Sequence, residues 1–321
     1  MLSSRVLVYP HMGVYKHPRS ILNRVMNLKP ARLKIGIISA GKVGAVLGAA
    51  LRGAGHEIVG VHAVSEASRD RAETLLAGVP ILDAASIAQA AELLLLAVPD
   101  DELPGVISGL AATASLKAGQ LLIHTSGRHG TDIFAPATAL GAIGLAIHPA
   151  MTFTGLSLDI DRLNGTSFAV TGPSLYLPIA QALVVEMGGE PVFIAEADRA
   201  IYHTALAHAA NHLVTILGQS QQMLASIGIE NPSGYMEPLV KAALDNALRQ
   251  GENALTGPVA RADVNTLAAH LKALNEYAEH ENAADIVESY RTLAESTAKR
   301  AHNRSLLSDE QLGRILKQLG S

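Results

Sequence analysis

Residues Lys34-Ile35-Gly36-Ile37-Ile38-Ser39-Ala40-Gly41-Lys42-Val43-Gly44 run from an apolar strand pattern through a glycine-spaced turn into a helix-forming stretch. Few backbones accommodate that order. In the arrangement G-x-G-x-x-G, the first glycine makes a tight turn, the second lets the backbone approach a pyrophosphate, and the third lets the helix pack closely on the strand. Ser39 occupies the first position here, while Gly41 and Gly44 keep the other two. Lys42 and Val43 open the helix, whose unpaired N–H groups and positive dipole end suit an anion. The helix is stopped by Gly53 and Gly55, and a second apolar strand follows over 57–64. The segment reads as a strand, turn and helix that bind a dinucleotide.

The alternation of short β-rich runs with helical stretches continues. It predicts strands over 34–38, 57–64, 93–98, 120–124, 144–147, 167–170 and 191–194, with helices over 68–77, 86–91, 103–112 and 173–187 between them. Strand signals cease after about Ala195. A long alanine-rich helix over 198–227 is expected to be buried on most of its circumference. Helices over 237–251, 263–274, 283–303 and 308–319 follow, the last opened by the capping box Ser308-x-x-Gln311. The expected fold class is α/β, a Rossmann-like doubly wound sheet followed by an all-α C-terminal domain. The expected domains are a dinucleotide-binding domain over 34–195 and a helical substrate and dimerisation domain over 196–321. Residues 1–33, which contain basic side chains and no acidic one, are expected to be a flexible or peripheral extension.

Composition narrows the functional classes. The chain has 321 residues, 49% hydrophobic and 17% charged, enough for two filled cores. A net charge of −4 and 3% aromatic residues offer no footprint for nucleic acid. With no cysteine, thiolate nucleophiles, disulfides and cysteine metal sites are excluded. No apolar run reaches membrane-spanning length, and a cytoplasmic location without membrane partners is expected. The apolar character of the long helix predicts a homodimer.

In a doubly wound sheet, ligands gather at the carboxyl ends of the strands. At the end of the second strand no acid takes the last position. Ser65 and Arg69 could hold a 2′-phosphate there, which favours NADP, whereas Glu66 favours NAD. Val98 and Pro99 lie at the third strand's end, near the nicotinamide half of such a cofactor. Asp100 and Asp101 read as caps of the next helix. Ser126 and His148 follow the next two strands, with Thr152 beyond, and polar clusters at two strand ends point to one site. On the long helix, His203 and Asn211 lie on broadly one side. His208 and His212 share a face but lack a third ligand, so no metal is expected. Arg261, in a loop broken by Gly257-Pro258, is the candidate for a substrate carboxylate.

Ser39 to Gly44, Ala97-Val98-Pro99-Asp100-Asp101, His124-Thr125-Ser126-Gly127, His148-Pro149-Ala150-Met151-Thr152-Phe153, Tyr202-His203 with Asn211, and Thr256 to Asp263 together resemble bacterial proteins with a Rossmann-like N-terminal domain and a C-terminal domain of unknown function. The likeness covers about residues 34–303. That group resembles, more distantly, the 6-phosphogluconate dehydrogenase-like superfamily. This superfamily includes deazaflavin-dependent NADP reductases, pyrroline-5-carboxylate reductases and ketopantoate reductases. The resemblance implies an NADP-dependent (or NAD-dependent) reductase of a small 2-oxo acid, with ketopantoate as the named candidate. A cyclic imine or 3-oxo acid reductase and a non-catalytic dinucleotide sensor are the alternatives. On this reading His203 or His148 donates a proton, Ser126 and Asn211 polarise the carbonyl, and Arg261 and Thr152 bind the substrate. Three departures stand out. Ser39 replaces the family's usual glycine, and Ala63-Val64-Ser65 replaces Ser-Arg-Ser. His208 and Ala207 occupy the places where the superfamily's hydroxy-acid enzymes carry a lysine.

Overall fold

The computed structural model describes residues 32–320. The expected extension over 1–33 therefore lies outside the described residues except for Arg32 and Leu33. The chain divides into two compact units, the first ending at Ala207 and the second beginning at His208.

In the first unit, β1 (Lys34–Ile38), α1 (Lys42–Gly53), β2 (Glu57–His62), α2 (Glu66–Leu75), α3 (Ala84–Ala90), β3 (Leu93–Leu96), α4 (Leu103–Ala112) and β4 (Leu121–His124) alternate. There follow α5 (Ala135–Thr138), β5 (Ile143–Pro149), α6 (Leu158–Arg162), β6 (Ser167–Thr171), α7 (Leu177–Glu186) and β7 (Glu190–Phe193). The strands form one sheet in the order β2-β1-β3-β4-β5-β6-β7, parallel except at β5/β6. Both faces are apolar, because successive side chains on a strand point to opposite sides and both sides carry helices. Ile35, Ile37, Leu93, Leu95, Leu121 and Ile123 pack in a layer with α1 and α7. Ile38, Leu94, Leu96 and Leu122 pack in the opposite layer with α3, α4 and α5. The Rossmann-like sheet followed by helices is the expected fold.

Some boundaries differ for local reasons. The strand expected over 144–147 is longer and carries His148 and Pro149 within it. The helix expected from Pro173 begins at Leu177, because Pro173 instead closes a turn to the Tyr176 amide. Ser65 caps α2, its hydroxyl accepting from the Ser68 amide at 3.2 Å.

A long helix, α8 (Arg199–Ser226), passes through the division between the units. The second unit continues with α9 (Pro232–Gln250), α10 (Gly257–Ala260), α11 (Val264–Glu281), α12 (Ala284–Asn303) and α13 (Asp309–Leu319). Its core joins Val259, Leu267, Leu271, Ala298, Ile315 and Leu319. The capping box at Ser308 and Gln311 forms with both reciprocal bonds. Within a single copy Arg199 is the one buried residue of the long helix, so the burial expected around most of its circumference is not supplied by this chain alone. Val214 and Leu239, on α8 and α9, are each more than 70% exposed. Among the described residues no helix is long and apolar enough to cross a membrane.

Candidate active site

The glycine turn is built as its spacing demands. Ser39 takes φ 82°, a left-handed backbone that an L side chain rarely adopts. Its carbonyl stands where a Cβ on Gly44 would lie, at 2.1 Å, so α1 can pack on β1 only with glycine there. Gly41 is different. A Cβ on it would meet Ser39 Oγ at 3.5 Å and the Ala97 oxygen at 3.8 Å, ordinary contacts, so its own surroundings leave room for a side chain. Gly41 is the N-cap of α1 and no side chain caps it. The first amides of a helix have no partner within it. A bare backbone above uncapped amides fits an approaching phosphate.

Beside this turn lies a cleft of about 590 Å³ lined by Ser39, Gly41, His62, Ser65, Arg71 and Val98, among others. Arg71 Nε donates to the Ala40 carbonyl at 3.2 Å, which ties a guanidinium to the turn. Arg69 is exposed and does not line the cleft, whereas Arg71 does. The reason is angular. Residues two apart on a helix point to nearly opposite sides. Lys42 and Val43 start α1, and Val98 reaches the cleft while Pro99 turns the chain into α4, its carbonyl accepting from Glu102 and Leu103. Asp100 and Asp101 do not cap that helix; both pair with Arg128 from the loop after β4.

The segment after β5 runs back to the turn. A Cβ on Gly155 would lie 3.0 Å from both Lys42 Cγ and Arg71 Cδ. The segment is pinned by Asp159, whose fully buried carboxylate accepts from the Thr154 amide, the Thr154 hydroxyl and the Gly155 amide at 2.7–3.0 Å. Burial pushes its carboxyl up, yet these bonds hold it below the ordinary value. Thr152 is exposed in the same segment.

A second polar cluster occupies the ends of β4 and β5. His124 is fully buried and both ring nitrogens are engaged, Nε2 with the Gly130 carbonyl at 2.8 Å and Nδ1 with the Ser126 amide at 3.2 Å. Burial lowers its pKa to about 4. The Ser126 hydroxyl is turned into its own loop, where it accepts from the His129 amide at 3.2 Å. His148 Nδ1 lies 2.8 Å from Tyr202 Oη, and its ring meets that of His203 edge-on at 6.0 Å. Gly127 sits against both: a Cβ there would be 2.5 Å from His203 Cδ2 and 3.0 Å from His148 Nε2. Burial, then the nearby Arg199 cation, lowers His148 to about 4. The imidazole is therefore held neutral near pH 7.

Arg199 and Tyr202 complete the cluster and were absent from the predicted site. In the second unit, Asn211 and Arg261 are exposed, and Arg261 follows the short helix α10. Asp263 caps α11 through the Thr266 amide at 3.0 Å. His208 and His212 approach each other at 2.9 Å, and no group of three metal-ligating side chains occurs among the described residues.

A Rossmann-like domain model matches residues 20–149, and the model of the domain of unknown function DUF2520 matches residues 166–297. No curated protein matches the chain. Among solved structures, protein BF3122 from Bacteroides fragilis, assigned as an NADP oxidoreductase, superposes with a TM-score of 0.71 at 19% identity, covering 84% of this chain and 98% of that one. Protein TM1727 from Thermotoga maritima gives 0.59 at 22% identity, over 83% and 98%. An imine reductase from Pseudomonas sp. gives 0.57 at 17% identity, over 87% and 100%. These likenesses establish a shared fold. With the two domain models placed in order along it, the chain carries a Rossmann-like domain followed by a DUF2520 domain.

Proposed function

We propose that the protein is an NADP-dependent oxidoreductase that reduces the carbonyl of a small 2-oxo acid, with ketopantoate as the leading candidate. The observation that carries the reading is the presence of two clusters at the carboxyl ends of parallel strands β1 to β5 of one sheet. One is the uncapped glycine turn beside Arg71, and the other is the His148–Tyr202 pair. Gly41 and the first amides of α1 would hold the pyrophosphate, and Ser65 and Arg71 the 2′-phosphate. The nicotinamide supplies the hydride when bound. The chain supplies orientation and a proton.

Reduction of a carbonyl leaves negative charge on oxygen, whereas reduction of an imine commonly starts from a cationic iminium. The buried Arg199 charge beside His148 and Tyr202 favours the first and opposes the second. Imine reduction is the second reading, supported by the fold shared with the Pseudomonas imine reductase. Asn211 and Arg261 belong to the second unit and carry no step of this reading.

The exposed apolar residues of α8 and α9 support association of two copies. Ile216, Tyr235 and Leu239 lie exposed on a groove of about 650 Å³, and Val214 and Leu248 are exposed elsewhere on the same two helices. Apolar side chains clustered in the open on two neighbouring helices mark an interaction surface. A self-complementary pairing of the same patch on two chains would cover it.

The test is to follow NADPH and NADH oxidation by the purified protein across a panel of 2-oxo acids led by ketopantoate. Turnover of one acid with NADPH preferred is expected. Saturable cofactor binding without turnover of any acid would defeat the reading and leave an imine or a sensing role.

A further inference from the structure

Arg199 is 1% exposed, and no carboxylate lies within ion-pair distance of it among the described residues. A buried cation persists only when its donors are satisfied. Its guanidinium donates to the carbonyls of Ser126 at 2.7 Å, His129 at 2.9 Å and Ala169 at 3.3 Å. Those carbonyls come from the loop after β4 and from β6, so one side chain ties the strand ends to the start of α8. Its Cζ also lies 5.9 Å from the centre of the Tyr202 ring. Tyr202 Oη in turn meets His148 Nδ1.

The other nitrogen of His148 faces Gly127 and makes no hydrogen bond among the described residues. It is also not sealed in: Tyr277 Oη is the one buried, unpartnered side-chain polar atom described. The groups facing the imidazole are Arg199, Tyr202 and His203 from α8, His124 from β4, and Asp100 from the turn after β3.

We propose that Arg199 is a positioning residue that makes Tyr202 and His148 a proton relay ending at His148 Nε2. The inference rests on the reductase reading for the reaction it serves. A neutral imidazole is a very weak acid unless its second nitrogen is protonated in the same step. With Tyr202 O–H donating to Nδ1, the ring hydrogen sits on Nε2 and points out of the pair. As a substrate carbonyl carbon gains hydride from the reduced nicotinamide, its oxygen takes the Nε2 proton and Nδ1 takes the phenol proton. Tyr202 is left as a phenolate beside the Arg199 cation; Nδ1 then returns its proton to the phenolate while solvent protonates Nε2, which restores the starting tautomer. One hydride and one proton are thus added to the C=O bond, and the dinucleotide is oxidised. The opposite tautomer, with the hydrogen on Nδ1, would leave Nε2 as a base unable to donate.

Nitrogen-15 NMR of the full-length protein labelled at histidine rings reads the tautomer directly, with His148→Gln identifying the signal. The wild type is expected to carry the hydrogen on Nε2. Tyr202→Phe should abolish that preference, and with an active substrate should lower kcat about 100-fold while NADPH binding, followed by fluorescence, is retained. Arg199→Met should raise the His148 titration toward its ordinary range. A hydrogen on Nδ1 in the wild type, or a tautomer and kcat unchanged in Tyr202→Phe, overturns the relay. If Arg199→Met does not fold, Tyr202→Phe decides alone, since it removes only a hydroxyl. If no 2-oxo acid is reduced, the substrate reading fails separately, because the tautomer needs no substrate to be observed.

Discussion

The Ser39 carbonyl oxygen stands 2.1 Å from where a Cβ on Gly44 would be, and Ser39 itself holds φ 82°. The two residues therefore constrain the turn in opposite ways. Gly44 has no substitute, because the contact is with rigid backbone, and Gly44→Ala should lose both cofactor binding and several degrees of Tm. Ser39→Gly should do the reverse. It relieves about 1–2 kcal/mol of left-handed strain, offset by about 0.5–1 kcal/mol of added freedom in the unfolded chain. A net gain of roughly 0.5–1 kcal/mol in urea denaturation is expected; a loss would show that the serine hydroxyl does more for the turn than the strain takes away.

The glycine turn and the polar strand ends were legible in the sequence because their signals are local. Gly41 and Gly44 constrain their immediate neighbours, and His148 announces itself as a polar residue closing an apolar strand. Arg199 was not legible. Its partners are main-chain carbonyls at 126, 129 and 169, brought together by the sheet, and a carbonyl acceptor leaves no mark on residue type. Arg71 and Arg69 look equivalent on paper, and only the direction in which α2 faces the cleft separates them. The long helix is the opposite case: its apolar composition reports a need for burial but not which surface meets it.

Arg71 should set cofactor choice. Its guanidinium is held beside the cleft through the Ala40 carbonyl, and a charge-assisted bond to a phosphate contributes about 1.5–3 kcal/mol. Arg71→Met should raise the KM for NADPH roughly 10- to 100-fold and leave that for NADH nearly unchanged. Arg69→Met, altering an exposed side chain, should leave both near wild type. Equal losses for both cofactors in Arg71→Met would mean that Arg71 supports the turn and does not read the phosphate.

The apolar surface of α8 and α9 should determine the assembly state. Placing charge at Leu239 and Val214, both more than 70% exposed, should not disturb a core. Leu239→Glu combined with Val214→Glu is expected to convert a dimer into a monomer in sedimentation equilibrium at micromolar concentration. A wild type already monomeric there would remove association as the explanation for the exposed face.

Stability should depend on pH through His124. Its Nε2 hydrogen is donated to the Gly130 carbonyl and its Nδ1 accepts from the Ser126 amide, so protonating Nδ1 sets two donors against each other in a buried site. Its pKa of about 4 lies below the ordinary 6.5 that it regains on unfolding. Between those values the unfolded chain binds more protons, so stability rises with pH. The contribution is complete above about pH 6.5 and is lost as pH falls through 4, a change of roughly 3 kcal/mol. Carboxylates titrate over part of the same range, so the informative quantity is the difference between two proteins. Urea denaturation of wild type and His124→Gln from pH 7.5 to 4.5 should give curves that converge as the pH falls, with the variant weaker at neutral pH and less sensitive to acid. Parallel curves would mean that the buried imidazole takes up its proton in the native state at no penalty, which its two engaged nitrogens forbid unless the loop from Ser126 to Gly130 opens first.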